Sequence, residues 1–272
     1  MFSDTTIGGT EIFMCKKPRR LSNPRGDGFI FVPCGKCEEC DKQKSLQWTY
    51  RIILESKNYS KEDISFITLT YNNEHNDGRL HKKHFQKFIK RVRKHLYPKK
   101  VRYIGVGEYG ARGKRPHYHL LLFGHNFAKQ LFYVKDGIKY YRSFELEKLW
   151  TSGYSLLTEY DDATAIYLTK YMQKSLIKYL NKNHIPKESY PFMLQSRKPA
   201  IGYRYIENLT FDDIKDDKIY INGHYIKYPR IFLDKLAERG VDLEPLKNAR
   251  INRCVIEDLD ELIFYEKKYK ID

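Results

Sequence analysis

The run Arg115-Pro116-His117-Tyr118-His119-Leu120-Leu121-Leu122 places two imidazoles one residue apart at the start of an apolar stretch. On a β-strand, side chains alternate faces with period two, so His117 and His119 would share one face while Leu120 and Leu122 point the other way. Such a pair can grip one metal ion. A third ligand stands in Gly105-Val106-Gly107-Glu108-Tyr109. If this segment is a strand antiparallel to the histidine strand, Glu108 lies at a similar height and reaches the same ion. Two imidazoles and one carboxylate leave coordination positions open, which suits Mg²⁺ or Mn²⁺ polarising a phosphodiester, or zinc activating water. Taken alone, two such histidines are equally the polar face of an edge strand.

A nucleophile is offered by Tyr167-Leu168-Thr169-Lys170-Tyr171-Met172-Gln173-Lys174. In a helix Tyr167 and Tyr171 share a face, and Lys170 and Lys174 each follow a tyrosine by three residues. A phenol, with a pKa of about 10, attacks poorly at neutral pH. A metal-polarised phosphate and a nearby ammonium lower that barrier. The competing reading is an amphipathic helix with tyrosines packed on a sheet, the ordinary fate of a tyrosine in a chain with 23 of them.

Four of the five cysteines fall within residues 1–40, three as Cys34-x-x-Cys37-x-x-Cys40, and Cys15 supplies a fourth thiolate. Without a secretory signal, such a cluster points to metal rather than disulfides. Structural zinc is the favoured reading. An iron–sulfur cluster and reduced, unliganded thiols are the alternatives. Cys254 stands apart as a packing residue, and His84, His125 and His184 have no expected metal role.

Charge says what the site acts on. The 272 residues carry 50 Lys+Arg against 34 Asp+Glu, a net charge of +16, together with 23 Tyr and 15 Phe. A basic, aromatic surface suits a polyanion whose bases can stack. Between Arg79 and Arg102 there are eleven Lys/Arg and no acid. Phe85, Phe88, Ile89, Val92 and Leu96 recur there at helical spacing, so Lys83, Lys87, Lys90, Arg91 and Lys94 line a helix. With Arg115, they are the expected phosphate contacts. No apolar run approaches the roughly 20 residues of a membrane span, and the N-terminus lacks the pattern of a signal peptide. A cytoplasmic protein is expected.

These groups need elements to position them. Residues 1–40 read as irregular and 41–58 as a helix. Ile64–Tyr71, Val101–Tyr109, His117–Phe123 and Tyr154–Glu159 read as strands, with helices at about 80–96 and 145–150 between them. Asp161 or Asp162 caps a helix running to about Tyr179. The order β-α-β-β-α-β-α predicts an α+β fold, an antiparallel central sheet with flanking helices. Beyond residue 205 the pattern is mixed, with a strand-like Lys218–Tyr225 and helices at 231–239 and 257–268. The expected organisation is a Cys-rich segment and helix (1–58), a core (59–205) and a C-terminal extension (206–272).

In combination, the motifs resemble those of the HUH (His-hydrophobic-His) endonucleases, the rolling-circle replication initiators, and most of all the initiators of the Microviridae, in their gokushovirus branch. Phe66-Ile67-Thr68-Leu69-Thr70-Tyr71 resembles the first motif, Glu108 with His117-Tyr118-His119 the second, and Tyr167 to Lys174 the third. Pro33-Cys34-Gly35-Lys36-Cys37, Gln47-Trp48, Arg51 and Ser196 to Gly202 are similar to flanking segments of these phage proteins, so the likeness spans about residues 15–205. It implies a ferredoxin/RRM-like fold and a nickase–ligase acting on single-stranded origin DNA. Metal on Glu108, His117 and His119 would position the scissile phosphate, and a tyrosine would form a 5′-phosphotyrosine link, freeing a 3′-hydroxyl. Relatives that keep one tyrosine have it at the position of Tyr171, which therefore ranks before Tyr167. Lys174 and Lys170 would offset charge or help hold the metal. Host helicase and DNA polymerase are the implied partners and the host bacterial cytoplasm the implied location. Tyr118 is amphipathic where the motif name asks for an aliphatic residue, with little consequence expected. A transposase or relaxase of the same fold, and a non-catalytic module that stacks single-stranded bases, are the other readings.

Overall fold

The computed structural model describes residues 15–110, 115–170, 186–221, 223–252 and 255–256. The chain divides into two compact units, residues 45–205 and residues 1–44 together with 206–272. The segment expected to be irregular contains β1 (Arg19–Ser22) and β2 (Phe29–Val32), an antiparallel pair. Each has four residues, and β1 is exposed throughout, so neither carries a legible alternation of polar and apolar positions. Helix α1 (Glu38–Ser56) follows and enters the larger unit at Ser45.

The larger unit is built on a seven-stranded antiparallel sheet. Its members are β3 (Ile64–Tyr71), β4 (Arg102–Tyr109), β5 (Pro116–Phe123), β6 (Gln130–Lys135), β7 (Ile138–Arg142), β8 (Gly153–Glu159) and β9 (Phe192–Gln195). Their order across the sheet is β6-β7-β8-β3-β5-β4-β9. Helices α2 (Lys82–His95), α3 (Phe144–Leu149) and α4 (Asp162–Lys170) complete the unit. This is the expected α+β architecture, with three strands that local sequence patterning does not reveal: β6, β7 and β9. The β6–β7 hairpin turns at Asp136-Gly137, both with positive φ, as a two-residue hairpin turn requires.

One face of the sheet is a dry core. Ile67, Leu69 and Tyr71 of β3, Tyr109 of β4, and Tyr118, Leu120 and Leu122 of β5 meet Phe85, Phe88, Ile89 and Val92 of α2 and Leu146 and Leu149 of α3. Helix α2 sits this close because position 105 is glycine. A Cβ there would stand 2.5 Å from the Phe85 ring and 3.0 Å from the His119 carbonyl. Tyr118 does more on this face than its expected neutrality suggests. Its hydroxyl lies 2.6 Å from that of Tyr71, accepts the His81 backbone N–H at 2.9 Å and donates to the His81 carbonyl at 3.1 Å. Burial pushes its pKa up to about 12, so it stays a neutral donor, and it ties the start of α2 to the middle of the sheet in a way no aliphatic residue can.

The opposite face is covered in part by α1. Arg102 pairs with Glu55 and donates to the carbonyls of Pro199 (2.9 Å) and Ala200 (3.1 Å). Glu55 accepts the Gly202 N–H at 2.7 Å, and Arg51, stacked on Trp48, donates to the Ile201 carbonyl at 3.1 Å. The flanking segments singled out in sequence, Trp48-Arg51 and Ser196 to Gly202, are thus one hydrogen-bonded assembly.

The second unit adds α5 (Phe211–Ile214), the hairpin β10 (Ile219–Ile221) and β11 (His224–Ile226), α6 (Arg230–Glu238), α7 (Glu244–Asn252) and β12 (Val255–Ile256), which pairs with β2. The strand-like 218–225 is this hairpin and the helix at 231–239 is α6, whereas α7 carries too weak a periodicity to be read. The helix expected at 257–268, and Cys254, lie outside the described residues. Among the described residues, no helix is long and apolar enough to cross a membrane.

Candidate functional site

Strand register assembles the first part of the site. Glu108 on β4 stands opposite His117 on β5, which stands opposite Thr70 on β3; one row along, Val106, His119 and Thr68 are aligned in the same way. Opposed residues share a face, so Glu108, His117, His119 and Thr68 all project from the side away from the core. The two imidazoles are parallel to within 4°, with centroids 6.4 Å apart. Nε2 of His119 lies 3.3 Å from Oε1 of Glu108, and both side chains are more than nine-tenths buried.

The hydrogen bonds behind these rings set which nitrogen is offered. Nδ1 of His117 lies 2.6 Å from the Arg115 carbonyl, which can only accept, so Nδ1 carries the proton and Nε2 keeps its lone pair. The same carbonyl accepts the Gly110 N–H at 3.0 Å, and a Cβ at Gly110 would come within 3.1 Å of the His117 ring. Burial holds His117 below the ordinary imidazole pKa, which favours the neutral, ligating form. Nδ1 of His119 is 3.1 Å from the Thr68 hydroxyl, leaving Nε2 to face Glu108. Orientation of ligand histidines through the far nitrogen is the usual second layer of a metal site. A neutral imidazole lone pair and a carboxylate facing each other are two acceptors that a cation reconciles, and this donor set fits a divalent ion. His117 is set back, because the three donor atoms do not all lie within 4.8 Å of one another.

Helix α4 brings tyrosine to the same face. Asp161 caps it, its carboxylate accepting the Thr164 N–H at 2.7 Å. Ala165, Leu168 and Thr169 are buried, and the Thr169 hydroxyl is 2.7 Å from that of Thr49 on α1. This orientation leaves Tyr167 edge-on to His119, centroids 5.5 Å apart, and to Phe66 at 6.0 Å. Lys170 is exposed at the end of α4, while Tyr171 and Lys174 lie outside the described residues.

The basic helix is not brought to this site. Phe85 packs on Tyr118, so α2 covers the face opposite the histidines. Lys83, Lys87, Lys90 and Lys94 are exposed on that far side, and Arg91 donates to the Leu149 carbonyl at 2.7 Å. Arg115 donates to the Tyr71 carbonyl (2.6 Å) and Asn73 (3.0 Å), bracing β3 against the histidine strand. Thr68 and the Arg115 carbonyl, by contrast, serve the histidines without having been given that role from sequence. Alternation within Phe66-Ile67-Thr68 was the available signal for Thr68; a backbone carbonyl leaves none.

A second cluster lies in the other unit. Cys15, Cys34, Cys37 and Cys40 are the one group among the described residues with at least three ligand atoms all within 4.8 Å of one another. Their sulfurs are 3.5–3.9 Å apart. Four sulfurs about 2.3 Å from a tetrahedral zinc would be about 3.8 Å apart. The spacing fits one enclosed ion better than a cluster of several irons, and it is far from disulfide bonding. Burial works against the Cys34 thiolate, but backbone N–H groups of Lys36 and Cys37 and the neighbouring thiols bring its pKa down to about 6. Burial and the same neighbours raise Cys40 to about 12, so four thiolates coexist only around a cation.

An antiparallel sheet with ligand-type side chains in register and a tyrosine helix across them defines an α+β protein with a candidate metal–nucleophile centre. The family model for the replication-associated protein ORF2 matches residues 64–176, which span these elements. Three curated relatives are similar over 76% of the chain. They are replication-associated protein ORF4 of Chlamydia phage 1 (31% identical, 54% of its length covered), replication-associated protein VP4 of Bdellovibrio phage phiMH2K (31%, 67%) and replication-associated protein ORF2 of Spiroplasma virus 4 (30%, 68%). The chain belongs to this family of phage replication-associated proteins. It spans about half the length of the Chlamydia phage relative. No solved structure matches it.

Proposed function

We propose that the protein is a replication initiator that nicks and rejoins single-stranded DNA at a replication origin, in the cytoplasm of a bacterial host. The observation that carries this reading is Tyr167 lying against His119 while His119 faces Glu108 at 3.3 Å. Glu108, His117 and His119 would hold Mg²⁺ or Mn²⁺, which when bound supplies electrophilic polarisation of the scissile phosphate. The phenol oxygen of Tyr171 or Tyr167 attacks phosphorus, and the Oη–P bond forms as the P–O3′ bond breaks. The phenolic proton leaves to water and the departing 3′ oxygen takes one up. The strand is left with a 5′-phosphotyrosine link and a 3′-hydroxyl that primes synthesis. Because the number of phosphoester bonds is conserved, attack by a 3′-hydroxyl in the reverse sense rejoins the strand without ATP. Lys170 and Lys174 offset the charge on the phosphate.

Incubation with origin single-stranded DNA and Mn²⁺ tests this directly. The expected outcome is a covalent protein–DNA adduct that survives denaturation and disappears in Tyr167→Phe/Tyr171→Phe. Absence of adduct with every divalent metal sinks the reading and leaves a binding module. Tyr171→Phe alone should remove most first-round cleavage; a larger loss in Tyr167→Phe reverses the assignment of the two tyrosines.

A further inference from the structure

The β6–β7 hairpin has no part in the site just described, yet it carries an exposed aromatic surface. Leu131, Phe132 and Val134 are 55–57% exposed, unusual for three apolar residues on one strand. Tyr133 and Tyr140 stack across the two strands, centroids 4.6 Å apart and planes within 16°, and Phe132 meets Tyr133 at 5.3 Å. The Arg142 guanidinium lies 5.3 Å over the Phe132 ring. From Lys129 to Arg142 there are four cations and one acid, Asp136, which sits in the turn. Register fixes which way these groups face. Tyr141 pairs with Leu157 and so points with it to the core. By alternation Tyr140 and its partner Tyr133, together with Arg142, point to the face that bears His119. Strand β7 is three strands from β5, about 14 Å at the usual spacing of about 4.8 Å.

We infer that this hairpin is a stacking platform for single-stranded DNA, on which bases lie against Phe132, Tyr133 and Tyr140 while Lys135, Lys139 and Arg142 meet the backbone. The inference rests on the reading of the chain as an enzyme of single-stranded DNA and gives that reading a place for the strand beside the site. Aromatic faces interleaved with cations are the chemistry that holds unpaired bases without regard to sequence. A second copy of the chain is the poorer occupant, since each copy carries +16 and the edge strand is broken by a bulge between Leu131 and Tyr133.

The test is the anisotropy of a labelled oligothymidylate titrated with the full chain in EDTA, where no cleavage occurs. Phe132→Ala/Tyr133→Ala/Tyr140→Ala should weaken binding roughly 10- to 100-fold. Lys135→Gln/Lys139→Gln should flatten the slope of log affinity against log salt by about 0.7 for each phosphate no longer neutralised. Unchanged affinity and slope overturn the inference. Tyr140→Trp guards against a misfolded triple variant: its emission should be quenched as the oligonucleotide saturates, and no quenching also overturns it. A hairpin that governs the oligomeric state in light scattering but not DNA binding is a protein interface, which overturns it as well. The two proposals fail separately. Hairpin-dependent binding with no tyrosine adduct removes the nicking reading alone, and a normal adduct with hairpin variants that bind like wild type removes this one alone.

Discussion

Glu108, His117 and His119 show how much of a metal centre is made by atoms that never touch the metal. The Arg115 carbonyl fixes the His117 tautomer and the Thr68 hydroxyl holds His119, so each Nε2 is left for the open side of the sheet. The histidines and the glutamate were legible in the sequence because side-chain type and strand period suffice to pair them. Their supports were not, since a carbonyl has no residue-type signature. The cysteines were legible for the same reason as the histidines: sulfur chemistry and spacing carry the message. At this scale one outcome follows for the second cluster. The protein isolated under reducing conditions should carry one zinc per chain, and Cys34→Ser/Cys37→Ser should lose it. Structural zinc contributes roughly 10–16 kcal/mol of apparent binding free energy at neutral pH, so the variant should melt well below wild type. Full zinc content by elemental analysis in that variant would refute a four-cysteine site.

Helix α2 and the β6–β7 hairpin exchange the parts that sequence alone gave them. Eleven cations made α2 the obvious phosphate surface, but its apolar stripe docks on Tyr118 and Gly105, on the far side of the sheet from the histidines. The hairpin left only Asp136-Gly137 between two apolar runs as its signal, and it adds two strands on the histidine face's own sheet. A helix advertises its period and its charge, whereas which face of a sheet it covers is set by pairing between strands distant in sequence. The packing of α2 depends on the absence of a side chain at position 105. Gly105→Ala should therefore destabilise the larger unit by about 1–3 kcal/mol, because neither the Phe85 ring nor the His119 carbonyl can retreat freely. Chemical denaturation measures it, and a neutral result would mean that α2 lies further from β4 than described.

For the whole molecule, charge and buried histidines govern behaviour in solution. Burial is the main cause holding His84 and His125 below the ordinary imidazole value of about 6.5. His84 also bonds the Tyr71 hydroxyl at 2.9 Å, and Nε2 of His125 is buried without a hydrogen-bond partner. Their folded pKa values are depressed, so the unfolded chain binds more protons just below pH 6.5. Stability is present above that pH and is lost as the pH falls from about 6.5 towards the folded pKa values. The melting temperature should drop between about pH 7.5 and about pH 5.5, and His84→Gln/His125→Gln should flatten the profile. An equally steep profile in that variant would assign the effect elsewhere.

By itself the sequence determined the chemistry-bearing residues, the α+β class and the strands that carry Glu108, His117 and His119, because residue type and local period are properties of short segments. Tertiary structure alone decided the rest: that Tyr167 comes to rest against His119, that α2 turns its cations away from both, that Tyr118 pins a helix, and that an aromatic hairpin joins the sheet. Each of those depends on which distant strands pair and in what register, and a shift of one residue in that register would reverse every face.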